Sequence, residues 1–222
     1  MGVLVLNVKR DVMRVYDEIA EGFDHTRGRP WPEVDLVDRD PILDLGCGNG
    51  RHASYLEGKG YRVVCADISW GMLMVARRRV RDLVQCDAST LPFRDSSFGT
   101  VLYLATIHHL PREDRLRSLR EVKRVLEPGG RLIVSAWALF QPRFFKKIPR
   151  MLLNPLKGRE FGDLTVPWHT KGRVYQRYYH LFTKRELESL VEEAGLRIIR
   201  SYGRSFKYRW FAENHVVVAE KV

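Results

Sequence analysis

The feature that most constrains this chain is the loop Asp44-Leu45-Gly46-Cys47-Gly48-Asn49-Gly50. It follows the short apolar run from Pro41 to Leu45 and leads into a helix-like segment from Arg51 to Lys59. Glycines at alternate positions permit a tight turn whose backbone approaches a ligand closely, and the following helix offers its amino end. The chain then repeats the strand-to-helix pattern. Arg62 to Asp67 is a β-branched run ending in an acid, Trp70 to Arg79 reads as a helix, and Leu83 to Asp87 and Thr100 to Leu104 read as strands. A charged helix from Arg112 to Leu126, the turn Pro128-Gly129-Gly130 and a strand from Arg131 to Trp137 continue the alternation. Such alternation predicts an α/β fold with a parallel sheet covered on both faces and ligands beyond the carboxyl ends of its strands.

Val8, Val12, Val15, Tyr16, Ile19 and Phe23 recur at helical spacing, which predicts an amphipathic amino-terminal helix ending before Thr26-Arg27-Gly28-Arg29-Pro30. At the other end, Thr183-Lys184-Arg185-Glu186 is a capping box opening a helix that stops near Gly195, and Leu196 to Tyr202 and His215 to Ala219 read as closing strands. Residues 138–182 lose periodicity, and a stretch that long inside a compact domain is usually functional or disordered, so it reads as a substrate-facing insertion. The 222 residues predict one domain, with residues 1–35 forming an amino-terminal helix and substrate-side segment. No apolar run approaches the roughly 20 residues of a membrane span, and no signal peptide is evident, so a cytoplasmic location is expected. Cys47, Cys65 and Cys86 lack paired spacing and read as reduced thiols, with no metal site.

The net charge of +11 is concentrated: residues 138–182 carry nine Lys or Arg against Glu160 and Asp163, a net +7. Cations interleaved with Phe, Trp and Tyr suit a polyanion with exposed bases, RNA above all. A solvated surface rich in ion pairs explains the charge alone equally well.

The dinucleotide fingerprint places its third glycine one residue later than this loop does and has no acid before the first. A carboxylate at Asp44 would repel a pyrophosphate, whereas it favours the ammonium and sulfonium charges of S-adenosylmethionine. Asp67 ends the second strand, where a carboxylate can accept hydrogen bonds from both ribose hydroxyls. Asp87 ends the third and, with Ala88, lies where an adenine amino group would be received, while Ile68 and Met72 suit the ring. One acid at a strand end is as well explained by helix capping, but three in register after successive strands point to one nucleoside. The cofactor-binding set is therefore Asp44, Gly46, Gly48, Asn49, Asp67, Ile68, Met72, Asp87, Ala88 and Leu104.

From Pro41 to Trp137 this order of motifs resembles the Rossmann-like class I S-adenosylmethionine-dependent methyltransferases. Phe98-Gly99-Thr100-Val101 leading to Ile107-His108-His109-Leu110, then Leu126-Glu127-Pro128-Gly129-Gly130, match that family's fourth strand, post-strand loop and fifth-strand lead-in. The resemblance implies a seven-stranded, mostly parallel sheet flanked by helices, with the insertion after strand five. Flanking segments narrow it. Val15-Tyr16-Asp17-Glu18-Ile19-Ala20, Pro30-Trp31-Pro32, Ala136-Trp137-Ala138-Leu139-Phe140-Gln141, Val166-Pro167-Trp168-His169 and Val174-Tyr175-Gln176-Arg177-Tyr178-Tyr179-His180-Leu181-Phe182 are similar to signatures of the tRNA wobble-uridine carboxymethyl methyltransferases. That family includes the methyltransferase domain of the human AlkB-like tRNA enzyme.

The resemblance implies methylation of the carboxylate of 5-carboxymethyluridine. Such a nucleophile, with a solution pKa near ~4, is ionised at neutral pH and needs no strong general base, so catalysis is mainly positioning. A planar guanidinium suits the task of orienting it, and Arg27 and Arg177 are the candidates. His108 or His109 would face the methyl group, while Trp137, Tyr178, Tyr179 and His180 would wall the pocket and stack on the flipped base. On pattern alone His108 equally suits a core histidine, Trp137 a strand end and Tyr178 packing. The family also implies a small zinc-binding activator protein, with contact expected at the edge strand Leu83 to Cys86 and the Trp70 to Val75 helix, because an unpaired apolar edge invites β-augmentation. A methyltransferase acting on a quinone or amine and a catalytically silent RNA-binding subunit are the alternatives. The +7 insertion argues against the first, and the intact acids argue against the second.

Overall fold

The computed structural model describes residues 2–170 and 172–222, with side chains described from Val8 onward; Met1 and the insertion cation Lys171 lie outside the described residues. β1 (Ile42–Leu45) is buried at every position and pairs in parallel with β2 (Val63–Asp67) on one side and β4 (Phe98–Leu104) on the other. β3 (Leu83–Gln85) lies beyond β2, and β5 (Leu126–Trp137) runs parallel to β4. β9 (Asn214–Glu220) is antiparallel to β5 and β8 (Arg197–Arg204) antiparallel to β9, giving seven strands in the order β3-β2-β1-β4-β5-β9-β8. This is the seven-stranded, mostly parallel sheet that the resemblance implies.

Successive β1 side chains take opposite faces. Ile42 packs with Ala53 and Leu56 of α2 (Arg51–Gly58) and Leu73 and Ala76 of α3 (Trp70–Ala76). Leu43 and Leu45 pack with Leu119 and Val122 of α4 (Arg112–Val125) and Leu187 and Val191 of α6 (Lys184–Glu193). Each fully buried aliphatic side chain contributes roughly 1.5–3 kcal/mol, so covering both faces is what makes a parallel sheet stable. The capping box forms as predicted: the Thr183 hydroxyl accepts the Glu186 amide at 3.1 Å, and the Glu186 carboxylate accepts the Thr183 amide at 3.4 Å.

α1 (Gly2–Thr26) lies against α3, where Gly71 permits the contact because a Cβ there would sit 2.8 Å from the Asp17 backbone. Asp17 accepts the Ser69 hydroxyl at 2.7 Å and the Gly71 amide at 2.8 Å, so an α1 carboxylate caps the start of α3.

Residues 138–182 are more regular than their lost periodicity suggests. After a 3-10 turn over Pro142–Lys147 and the short α5 (Ile148–Met151), β6 (Asp163–Thr170) and β7 (Arg173–His180) form an antiparallel hairpin. Its alternation is written in aromatic and charged side chains rather than aliphatic ones. Arg177 and Tyr179 occupy one face, Tyr178 and His180 the other. Leu139, Phe144, Met151, Leu164, Tyr179 and Leu181 form a separate small core beneath it.

Tyr178 and His180 enter a buried charge network rather than a substrate pocket, which corrects their expected placement. The Asp163 carboxylate accepts the Tyr178 hydroxyl at 2.8 Å and His180 Nδ1 at 2.8 Å, while His180 Nε2 donates to Glu186 at 2.7 Å. Arg115, also buried, pairs with Glu160 at 2.7 Å. Burial pulls the His180 pKa down, but the two carboxylates outweigh it and leave it raised; burial likewise raises Asp163, and His180 with Tyr178 reverse the sign. A histidine raised above its unfolded value lends stability that is full below about pH 6.5 and is lost as pH rises through its folded pKa. Urea unfolding should therefore show falling stability above neutrality, with a shallower slope in His180→Gln. Asp163→Ala, which strands the buried imidazolium, should cost about 3 kcal/mol.

Candidate active site

One cleft opens at the carboxyl edge of β1, β2 and β4, where open α/β sheets bind their ligands. Its floor is the β1–α2 loop. Gly46, Gly48 and Gly50 have φ of 72°, 56° and 72°, backbone that only glycine adopts without strain. A Cβ at Gly46 would collide with Thr106, which donates to the Gly46 carbonyl at 3.3 Å and so fixes the loop against the segment after β4.

Of the residues expected to bind the cofactor, Gly46, Gly48, Asn49, Asp67, Ile68, Met72, Asp87, Ala88 and Leu104 line this cleft. Asp67 accepts the Gly48 amide and the Ser69 amide, each at 2.9 Å, tying β2 to the loop. The Asp87 Oδ2 accepts Lys9 at 2.7 Å and its Oδ1 accepts the Ser89 amide and hydroxyl, each at 2.8 Å, leaving one lone pair on Oδ2. The Asn49 amide donates outward, to Asp24 at 2.7 Å and the Arg27 carbonyl at 2.9 Å, and so clamps the end of α1 to the loop. Asp44 lies behind the wall, fully buried, and its Oδ2 has no partner. Burial, opposed by Arg51, raises its pKa to about 7.

The roof is α1, which the sequence placed near the substrate but did not connect to the cofactor. Lys9, Val12, Tyr16 and Phe23 line the cleft opposite the loop. Hydrophobic spacing revealed the helix. Lys9, paired with Asp87 and Asp114 at 2.7 and 2.6 Å, carries no signal at that level because a lone lysine on an amphipathic helix is unremarkable.

His108 lies 5.4 Å from Trp137, ring to ring, and His109 lines the cleft. The His108 Nδ1 accepts the Trp137 amide at 3.2 Å, so that nitrogen is unprotonated. His109 Nδ1 faces the Tyr178 carbonyl at 2.9 Å and must donate, leaving Nε2 to accept the Tyr16 hydroxyl at 2.8 Å. Burial pulls His108 well down and His109 to about 3, so both are neutral at physiological pH. Trp137 stacks on Tyr179 at 4.1 Å, and Arg143 covers the Trp137 ring at 4.0 Å. Arg177 lies over Trp168 at 4.8 Å and Tyr179 at 5.2 Å; it is 7% exposed, and its Nε has no partner. Arg27 is exposed over Phe23 at 5.7 Å, and none of its polar contacts reaches Arg177 or the histidines.

Glu160, His180 and Glu186 bring three ligand atoms within 4.8 Å of one another. Both His180 nitrogens already donate to carboxylates, and an imidazolium has no lone pair for a metal.

The methyltransferase domain family matches residues 43–134. A tRNA (carboxymethyluridine(34)-5-O)-methyltransferase of Schizosaccharomyces pombe is 32% identical, covering 95% of this chain and 96% of its own. The chain belongs to that family. A relative of the same name from Xenopus tropicalis is 29% identical over 81% of this chain, which spans only 36% of that longer protein. Among solved structures, a Methanosarcina mazei S-adenosylmethionine-dependent methyltransferase is 26% identical with a TM-score of 0.73, covering 87% of this chain and 99% of its own. A methyltransferase solved in complex with the Haloferax volcanii Trm112 methyltransferase activator shares the fold at 16% identity, TM-score 0.65 and 96% coverage of each chain.

S-adenosylmethionine is the cofactor of this fold, and the cleft fits it. The left-handed glycines leave room for a ligand against the backbone, Asp67 and Asp87 line the cleft, and the unpartnered Asp44 oxygen lies buried behind its wall. Because the cationic cofactor favours the ionised acid, its affinity should fall as pH drops through about 7, by up to tenfold per unit, with proton release on binding below that pH. Calorimetry in buffers of different ionisation enthalpy checks this, and Asp44→Asn should remove the pH dependence.

Proposed function

We propose that this chain methylates the carboxylate of 5-carboxymethyluridine at the wobble position of tRNA, giving the methyl ester. The observation that carries the reading is Arg177: a buried guanidinium, sandwiched by Trp168 and Tyr179, with an unpartnered Nε–H beside two neutral histidines. A buried cation with a spare donor suits an anionic acceptor, and the family's substrate is a carboxylate on a uridine.

Bound S-adenosylmethionine supplies an electrophilic methyl on a sulfonium. The chain's own residues do the rest by placement. The acceptor is ionised at neutral pH, so no residue need remove a proton. Arg177 orients it without protonating it, since guanidinium holds its proton. His108 and His109, held neutral by burial, neither compete for the carboxylate as cations nor donate a labile proton to it. The Trp137–Tyr179 stack stiffens the wall against which an unstacked uridine lies, and the α1 roof excludes water. Arg27, exposed at the end of α1, is assigned to the RNA strand rather than to the reacting carboxylate.

The reading includes a small zinc-binding activator protein at the β3 edge. There β3 ends the sheet, and the adjoining α3 exposes Trp70 (56%) and Met74 (41%), an apolar pair beside an open strand. A tRNA substrate is in keeping with a cytoplasmic enzyme.

Methyl transfer from labelled cofactor to tRNA bearing wobble carboxymethyluridine, with and without the activator, tests the reading. Arg177→Ala should lower turnover about 100-fold, the scale of one lost charge-stabilising donor, while leaving cofactor affinity within twofold. Activity confined to a different nucleoside, or equal loss of turnover and cofactor binding in the variant, contradicts it.

A further inference from the structure

The loop joining β8 to β9, residues 205–213, reads Ser-Phe-Lys-Tyr-Arg-Trp-Phe-Ala-Glu, with aromatic and cationic residues interleaved. It lies at the same sheet edge as the candidate active site. Trp137 pairs with Asn214 in the β5–β9 ladder, and the Ala138 amide donates to the Glu213 carbonyl at 3.0 Å. The loop is built rather than loose. The Glu213 carboxylate accepts the amides of Phe206 and Lys207 at 2.7 and 3.1 Å, and the Ser205 hydroxyl accepts the Tyr208 amide at 2.9 Å. Phe211 meets Phe145 edge-on at 5.3 Å, joining the loop to the turn that carries Arg143, Lys146 and Lys147.

This ordered loop nevertheless leaves Trp210 82% exposed and Phe206 55% exposed. Rings held in water by an organised backbone mark a surface that something covers. The neighbouring charges say what. Residues 205–212 contain no acid, Lys207 and Arg209 flank the rings, and the adjoining turn adds three more cations. Protein interface cores are depleted in lysine and charge, whereas an unpaired polynucleotide answers both features at once, its bases stacking on rings and its phosphates meeting cations.

We propose that the β8–β9 loop is a second RNA contact, in which Trp210 stacks on an unpaired nucleotide next to the target and Lys207 and Arg209 meet its backbone. The inference rests on the tRNA reading above and extends the RNA face beyond the insertion.

The probe is an anticodon stem-loop RNA with carboxymethyluridine at the wobble position, its binding followed by fluorescence anisotropy. Trp210→Ala should weaken binding about tenfold, the size of one base–aromatic stack, while Trp210→Phe keeps most of the affinity. Lys207→Ala with Arg209→Ala should lower the slope of log affinity against log salt by roughly 1 to 2. Cofactor affinity by calorimetry should be unchanged in all three, showing intact folds. Wild-type affinity in Trp210→Ala overturns this inference and leaves the tRNA reading standing. No RNA binding by the wild type overturns both. Loss of binding to the activator protein with RNA affinity kept makes the loop a protein dock and also overturns it.

Discussion

The carboxyl edge of the sheet depends on the left-handed backbone at Gly46, Gly48 and Gly50. That path turns β1 into α2 within a few residues and leaves no side chain at Gly46 and Gly48, which line the cleft. It also couples two parts of the site. Thr106 occupies the space where a Gly46 side chain would stand and hydrogen-bonds the Gly46 carbonyl, and two residues later the chain delivers His108 and His109. Asp67 and Asn49 pull β2 and α1 onto the same loop. The glycine loop therefore sets where the acceptor-side histidines sit, and a side chain at Gly46 would disturb both halves together.

The site is divided electrostatically. Asp67 and Asp87 line the end of the cleft suited to a cationic methyl donor, with Asp44 buried behind it, while Arg177 and Arg143 lie against the Trp137–Tyr179 stack. Two neutral histidines pack against the Tyr179 ring of that stack, and His109 lines the cleft. Donor and acceptor have opposite charge, and each half of the site opposes the charge of its own ligand. Arg177 stands on the β6–β7 hairpin, whose other face is anchored by the Asp163–His180–Glu186 network, so a charge cluster on one face holds the strand that carries Arg177 on the other.

The parallel strands, the helices on both faces and the capping box were legible because each rests on local periodicity or on turn chemistry, while the seven-stranded sheet with β3 at its edge followed from the family resemblance. Most of the cleft lining was legible because a glycine-rich loop and acids near successive strand ends point to the carboxyl edge of the sheet. The hairpin was not, since its inward positions are Arg, Tyr and Trp, which an aliphatic alternation does not reveal. Tyr178 shows the consequence: a single position along a strand decides the face, and the ring that stacks on Trp137 is Tyr179. The roof contacts of Lys9 and Asp17 were hidden for another reason, because they bridge residues dozens of positions apart and neither makes a motif.

A crystal structure with S-adenosylhomocysteine and an RNA fragment bearing carboxymethyluridine tests the central claim most directly. The account predicts the nucleoside on the glycine loop between Asp67 and Asp87, and the uridine carboxylate within hydrogen-bond distance of the Arg177 guanidinium. A carboxylate held by other residues, with the Arg177 Nε facing only protein, would contradict it.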